Sequence, residues 1–457
     1  MALDTLKFVD SIAASPTTRL DLNDGSLWYV REFYAPPPRL RRSLTTNAMT
    51  DGAYATSSTY DNRVITIVLD LVSTTEDINA TELQKLAREL DRSTNFLQYK
   101  PDGATSPVFF RTERADFSDL VDFNAALAMR RLTIEIVAEP KALGLRETVS
   151  VGVVTNDPAA ATRGCYFDVS APKGDVAAEI VMGMLLTGTD WNRLYLAQRT
   201  TGTVTDLPAM VQAESMTLST ETTNPGGGPD AAMSGTGTNN YRRTTFAGAV
   251  TYDRLSYTPG TTALKNALTG TFRVVACVRR TSATGTIIAW VGSDSVYTDP
   301  VTLPATTDRV LVDLGIVTRT RPRTGVINSN AFTFYAQQTA AGSNLDWDYV
   351  TFLPADESLL IAERTSGNSV SNWILDGEED AAYGASAVDV FAGTASADNS
   401  TMSTSGGIPY LLPNVTNRFL VTASGNVLGD YGITKTDNAT VTLYYHPAYL
   451  YVRPATT

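Results

Sequence analysis

The most regular alternation of hydrophobic and polar positions lies between Tyr60 and Pro140. Val64 to Val72 reads VITIVLDLV, which puts Ile65, Ile67, Leu69 and Leu71 on one face of a strand packed on a core. The period then lengthens. Leu83, Leu86, Ala87 and Leu90 recur at helical spacing opposite Glu82, Lys85, Arg88, Glu89 and Arg92, predicting a helix over 80–93. Asn79 caps its start with Glu82 three residues on, Ile78 staples against Leu83, and Lys85 pairs with Glu89 across a turn. Phe96 to Tyr99, the turn Pro101-Asp102-Gly103 and Val108 to Arg111 predict a hairpin. Arg131 to Ala138 predicts a strand with Leu132, Ile134 and Ile136 inward and Thr133 and Glu135 outward.

The flanks are less regular. Leu20 to Asp24 and Leu27 to Phe33 predict a hairpin about a glycine turn, after which Pro36, Pro37 and Pro38 stop regular pairing. The Thr-, Ser-, Ala- and Gly-rich segment up to Tyr60 then predicts a long protruding loop. Arg39, Arg41 and Arg42 open it, either as a solvated loop or as an arm whose arginines meet carboxylates of a neighbouring subunit. With Arg63, at the start of the first strand, they are the candidate interface residues.

Beyond Pro140 the character changes, and 151–164, containing Asp157-Pro158, is expected to be a linker. Cys165 to Val169, Trp191 to Gln198, Thr271 to Arg279, Thr286 to Gly292, Val310 to Leu314, Phe332 to Gln337 and Leu345 to Leu353 read as short strands without intervening helices, so 165–362 is expected to be a jelly-roll β-sandwich. In the last of these, Trp347, Tyr349 and Thr351 alternate with Asp348, Val350 and Phe352. Residues 363–405 are a connecting segment without assignment. Within 406–457, Asn417 to Thr422 and Thr440 to His446 are expected strands. The fold class is mostly β: an N-terminal β-sandwich or roll over 1–150 with one packed helix, plus an inserted jelly roll.

Composition narrows the function classes. A hydrophobic fraction of 43% supports real cores, while 36 basic against 48 acidic residues give a net charge of -12 that disfavours a nucleic-acid surface. Leu6 to Ala14 is interrupted by Asp10 and follows no basic region, and no apolar run approaches membrane-span length. A soluble product without a signal peptide is expected, and the Asn79, Asn414 and Asn438 triplets carry no meaning as glycosylation sites. Chemistry is sparse. Cys165 and Cys277 are expected as free buried thiols, and the single histidine, His446, as a packed structural residue. No triad, zinc site, cofactor site or catalytic residue follows from this inventory. Asp376, Glu378, Glu379 and Asp380 form a solvated turn rather than a calcium loop, and Gly226 to Gly228 lacks the setting of a phosphate-binding loop. Trp191, Tyr195, Trp290 and Trp347 offer rings for stacking on a pyranose, although strand aromatics more often pack a core; the sequence singles out none.

The order Tyr60-Asp61-Asn62-Arg63, ELQKLAREL, FLQYKPDG, SPVFFR and RLTIEIVAEP resembles the first domain of siphophage distal tail proteins. Gly407-Ile408-Pro409-Tyr410-Leu411-Leu412-Pro413, then Asn417-Arg418-Phe419 and VTLYYHPAYLYV, are similar to the closing strands of that family, which return to the first domain. The span from Cys165 to about Ala362, closing on LDWDYVTFLPADESLL, resembles carbohydrate-binding-type jelly rolls of tail proteins, without a galectin motif. The resemblance implies a homo-oligomeric ring, usually a hexamer, at the distal end of the virion tail, made in the host cytoplasm. Its implied partners are the tail tube protein, the tip or hub protein, tape measure and fibre proteins, and a host glycan on the jelly roll. It implies an adaptor, not an enzyme, and an acidic conduit wall would keep DNA phosphates from sticking. The alternative is a receptor-binding tail fibre or carbohydrate-binding module.

Overall fold

The computed structural model describes residues 4–46, 53–115, 122–124, 129–155, 166–187, 191–200, 210–218, 222–223, 230, 233, 240–246, 252–320, 331–364, 372–385, 397–398, 402–425 and 438–451. The protein is mostly β, built from antiparallel sheets with two α-helices, Glu76–Leu90 and Thr262–Ala267, among the described residues. It divides into a first unit, 1–147 with 173–178 and 445–457, and a second, 148–172 with 179–444.

In the first unit one sheet runs in the order Thr18–Asp21, Thr5–Val9, Asn95–Lys100, Val108–Thr112, Met129–Ala138, Arg63–Val72, Trp28–Tyr34. The alternation that predicts its centre holds: Ile65, Ile67, Leu69, Leu71, Leu132, Ile134 and Ile136 are buried and pack with Leu86 and Leu90 of the long helix. Burial of each such side chain stabilises by about 1.5–3 kcal/mol, so this face dominates the unit. The expected pairing of 20–24 with 27–33 does not form. Thr18–Asp21 pairs with Thr5–Val9, where Lys7 Nζ meets Asp21 Oδ2 at 2.8 Å, and Trp28–Tyr34 joins the opposite edge of the sheet. Between them the Asp24 carboxylate accepts N–H bonds from Ser26, Leu27 and Trp28, fixing a turn that carries the chain away.

The helix starts a turn earlier than its apolar stripe suggests. Thr75 Oγ1 accepts from Ile78 N at 3.4 Å, with Glu76 and Asp77 in the positive first turn, so Thr75 is the cap and Asn79 is buried inside the helix. Glu82 and Glu89 are also buried rather than solvent-facing. Glu82 accepts from the Trp28 indole at 3.2 Å and takes Lys85 at 2.6 Å, in place of the expected Lys85–Glu89 pair, while Glu89 takes Arg92 at 2.7 Å.

The far end of the chain returns to this unit by a short strand only. Ala448–Tyr449 pairs with Ala142–Leu143, and Gly144 N donates to Pro447 O at 2.7 Å. Thr416–Gly425, and Asn438–Tyr445 up to Tyr444, expected here, belong to the second unit. The reason is two-sided burial: Phe419, Val421 and Ala423 on one face and Leu420 and Thr422 on the other are all covered, which a strand closing a half-solvated sheet does not need.

The second unit contains two sandwiches, not one. The expected linker begins as the strand Glu147–Thr155, with 156–164 and Cys165 outside the described residues, and the 363–405 segment supplies the strands Asn372–Asp376, Ala381–Ala385 and Met402–Ser405. These build a carrier sandwich of a six-stranded and a five-stranded sheet. Its adjacent strands Trp191–Arg199 and Ser358–Arg364 are separated in sequence by a whole second sandwich, about 210–354, whose two sheets centre on Gly270–Arg280 with Leu345–Pro354 and on Phe332–Ala340.

Leu345–Pro354 is buried along its full length. Cys277 faces Tyr349 and Val278 faces Trp347, so Asp348 is an extra residue, a β-bulge that reverses the side-chain phase. Trp347 therefore shares a face with Val350 and Phe352, against the simple alternation. Cys277, Leu311 and Tyr349 on the other face join Tyr195, Ala197 and Leu420 of the carrier sandwich in one core. The two sandwiches are fused through a buried layer, with the Arg309–Asp348 ion pair at 2.5 Å sealed in the inserted sheet.

Candidate functional site

The segment expected as a loop is a ribbon. Leu40–Thr46 pairs with Ala53–Tyr60 in a two-stranded sheet of its own. Tyr34 opposite Thr66 and Leu40 opposite Tyr60 keep one register, so the ribbon prolongs the Trp28–Tyr34 and Arg63–Val72 pair. The ladder is interrupted where Pro36 to Pro38 supply no N–H donors, then resumes because threonine-rich strands favour pairing. Asp61 N donates to Arg39 O at 2.9 Å and closes the base.

Alternation along the ribbon puts Leu40, Tyr60 and Arg42 on one face and Arg41 on the other. Leu40 and Tyr60 are exposed. Arg41 meets Asp61 at 2.9 Å, whereas Arg39 and Arg42 are exposed and enter no ion pair among the described residues. Two of the four candidate arginines, Arg41 and Arg42, thus stand on one small ribbon, with Arg39 at its base. Arg63 is placed otherwise: it is 2% exposed, donates from Nε to Pro140 O at 3.1 Å and lies over the Phe110 ring at 5.4 Å. Burial pulls its guanidinium down to about 10. It serves the interior of its own unit, which corrects its assignment to an interface.

The sheet face away from the helix carries exposed Tyr34 and Val64 toward one end and, farther along the same strands, a charged group that sequence reasoning missed. Asp70 is buried and accepts from Arg131 Nε at 2.8 Å and from Arg31. Burial pushes its carboxyl up, but the hydrogen bonds and charges of Arg131 and Arg31 outweigh this and hold it below the usual carboxylate range. Asp70 breaks the apolar run of its strand, and that break was the available signal.

Other candidate chemistry is occupied. Asp376 accepts from the backbone of Glu378 and Glu379 in a turn, and the His446 Nδ1 lies 2.9 Å from Gly144 O. Cys277 is a buried free thiol, pushed up to about 12 by burial. No group of carboxylates, histidines and cysteines suited to a metal occurs among the described residues. A cleft of about 680 Å³ between the carrier strands and the inserted sandwich is lined by Gln198, Thr200, Ile316, Glu357, Tyr410 and Leu412. Its polar groups are committed to one another: Gln198 Nε2 donates to Tyr410 O at 2.7 Å, and Glu357 takes Arg199 at 3.2 Å and Thr200 N at 2.6 Å. Gly226 to Gly228 lies outside the described residues. No described helix is long and apolar enough to cross a membrane.

No family model matches this chain. No curated protein matches it. Among solved structures the chain is similar to SPP1 Dit, described as a paradigm of the hub adsorption apparatus in Gram-positive infecting phages, with a TM-score of 0.31 and 11% identity over 77% of this chain and 100% of that one. It is similar to the phage P2 baseplate in its activated conformation with Ca, at 0.26 and 6% over 76% and 98%. The N-terminal tandem CBM22 domain of Paenibacillus barcinonensis Xyn10C matches at 0.21 and 12% over 52% and 96%. These structural neighbours are phage hub or baseplate proteins and carbohydrate-binding modules; with every TM-score below 0.5, function has to be read from the chain's own residues.

Proposed function

We propose that this chain is a structural subunit of a bacteriophage tail, one copy of a ring at the distal end that joins the tail tube to the tip or hub protein. The observation that carries this reading is the ribbon of residues 40–60. A two-stranded ribbon is marginal in water, and both of its strands are edge strands, the kind to which another chain can add. Its exposed Leu40–Tyr60 pair, and Arg39 and Arg42, which enter no ion pair among the described residues, fit a neighbouring subunit better than solvent. In a chain with 48 acidic residues, carboxylates for those arginines are available on a second copy. A contact in which every copy gives its ribbon and receives another is head-to-tail, and such contacts close into a ring where the rotation between copies divides a full turn, the geometry this reading requires.

The ordered sequence pieces from Tyr60 to Pro140 support the same assignment. Function in this reading is geometric: the first unit builds the ring, the fused sandwiches present a stiff surface to tip, tape measure or fibre proteins, and no bond is made or broken. Acidic excess keeps the assembly from holding DNA. Electron microscopy of purified particles with an antibody fragment against the inserted sandwich tests the location. Label confined to the distal end of the tail is expected; label along the shaft or on the head, or particles without this chain, would overturn the proposal.

A further inference from the structure

The structure separates the aromatic residues that the sequence leaves equivalent. Tyr195 and Trp347 are core, and the Trp191 side chain is outside the described set. Trp290 lies on the outer face of the inserted sandwich, where Arg254, Tyr335 and Trp290 form one register row across three strands. The Trp290 and Tyr335 rings are offset-stacked, with centroids 5.2 Å apart and planes 6° from parallel, and Tyr297 meets Tyr335 edge-on at 5.7 Å.

Tyr297 is the presented ring of this cluster, 56% exposed, and its position is built rather than incidental. The two-residue turn before it has Asp294 at φ 51° and Ser295 at φ 66°, left-handed values in a tight hairpin that lacks the glycine usual there. Thr320 anchors the Asp294 carboxylate through its N–H at 3.1 Å and its hydroxyl at 3.2 Å. Opposite, Gly292 leaves the space that the ring fills, since a Cβ there would stand 2.3 Å from Tyr297. Arg254 beside Tyr335 is exposed and makes no ion pair among the described residues, in a protein of net charge -12. The exposed apolar area of Tyr297 and its neighbour Val296 is on the order of 200 Å², well short of the ~800 Å² that a stable protein partner covers.

We propose that Tyr297, packed edge-on against Tyr335, which Arg254 neighbours on its other side, is the stacking ring of a saccharide site that takes a pyranose bearing a carboxylate, a uronate unit. The apolar face of the sugar packs on the tyrosine, and the arginine meets the carboxylate in a charge-assisted hydrogen bond. Nothing in this site depends on the ring assembly. The test is titration of the full chain with hexagalacturonate and, as its neutral counterpart, cellohexaose, followed by calorimetry and tryptophan fluorescence. Saturable binding of hexagalacturonate is expected, weakened at least about tenfold by Tyr297→Ala, with Arg254→Gln removing the preference over cellohexaose. Both substitutions are at exposed positions, and an unchanged circular dichroism spectrum establishes that each variant is folded. Absence of saturable binding to the uronate, equal binding of both sugars by the native chain, or affinity unchanged in Tyr297→Ala would overturn the proposal.

Discussion

The two units use the same pair of residue types in opposite ways. Asp70 in the first and Asp348 in the second are both fully buried carboxylates held by arginine. The Asp70 arginines keep much of their surface in water, with side chains 57% and 39% exposed, whereas Arg309 is 4% exposed. An open arginine can turn to solvent if its partner is lost, and a sealed one cannot. The second unit therefore spends its ion pair on fixing how two sandwiches fuse, while the first leaves cations on a surface where another molecule can reach them.

The sharpest way to break this contrast is to remove each aspartate. Asp348→Ala strands the Arg309 charge in a closed layer and is expected to cost about 3–5 kcal/mol, read as a lower urea midpoint for the second unit. The double change Asp348→Leu with Arg309→Met should recover most of that loss. Asp70→Ala should cost less, about 1.5–3 kcal/mol, since Arg31 and Arg131 rehydrate. Comparable losses at both sites would show that exposure of the arginines does not set the cost.

The acid side sharpens the comparison further. The carboxyl of Asp70 lies below its ordinary value of 3.8 in the folded chain, so its contribution is complete above 3.8 and disappears as pH falls through the lower folded value. Acid unfolding of the first unit should thus begin below pH 3.8, with Asp70→Asn flattening that limb. A smaller effect, about 1 kcal/mol, is expected for Thr75→Ala at the helix cap, measured in the same unfolding experiment. Cys277 should not react with a thiol reagent at pH 8 while the second unit is folded, because burial keeps the thiol protonated, and should react on unfolding.

Sequence pattern was most informative where one face meets a core and pairing is local. The Ile65–Leu71 face, the 96–111 hairpin and most strand positions of the inserted sandwich follow from alternation alone. It failed where distant partners decide. Trp28–Tyr34 has the look of a local hairpin but pairs across to Arg63–Val72, and Thr416–Gly425 sits in a layer covered on both sides. The Asp348 bulge reversed a clean alternation because a bulge is a property of two strands, not one. Of the candidate interface, Arg39, Arg41 and Arg42 were legible as a cluster; their ribbon was not, since prolines masked a register that resumes beyond them. Arg63 was misread because its carbonyl partner at Pro140 is 77 positions away.

The claim that the ribbon makes a closed ring is tested most directly by the native mass of the purified chain beside a variant in which residues 40–60 are replaced by a short Gly-Ser turn. The account predicts a single closed oligomer, six copies by family resemblance, for the intact chain and a folded monomer for the variant. A monomeric intact chain at micromolar concentration, or an oligomer that survives loss of the ribbon, would contradict it.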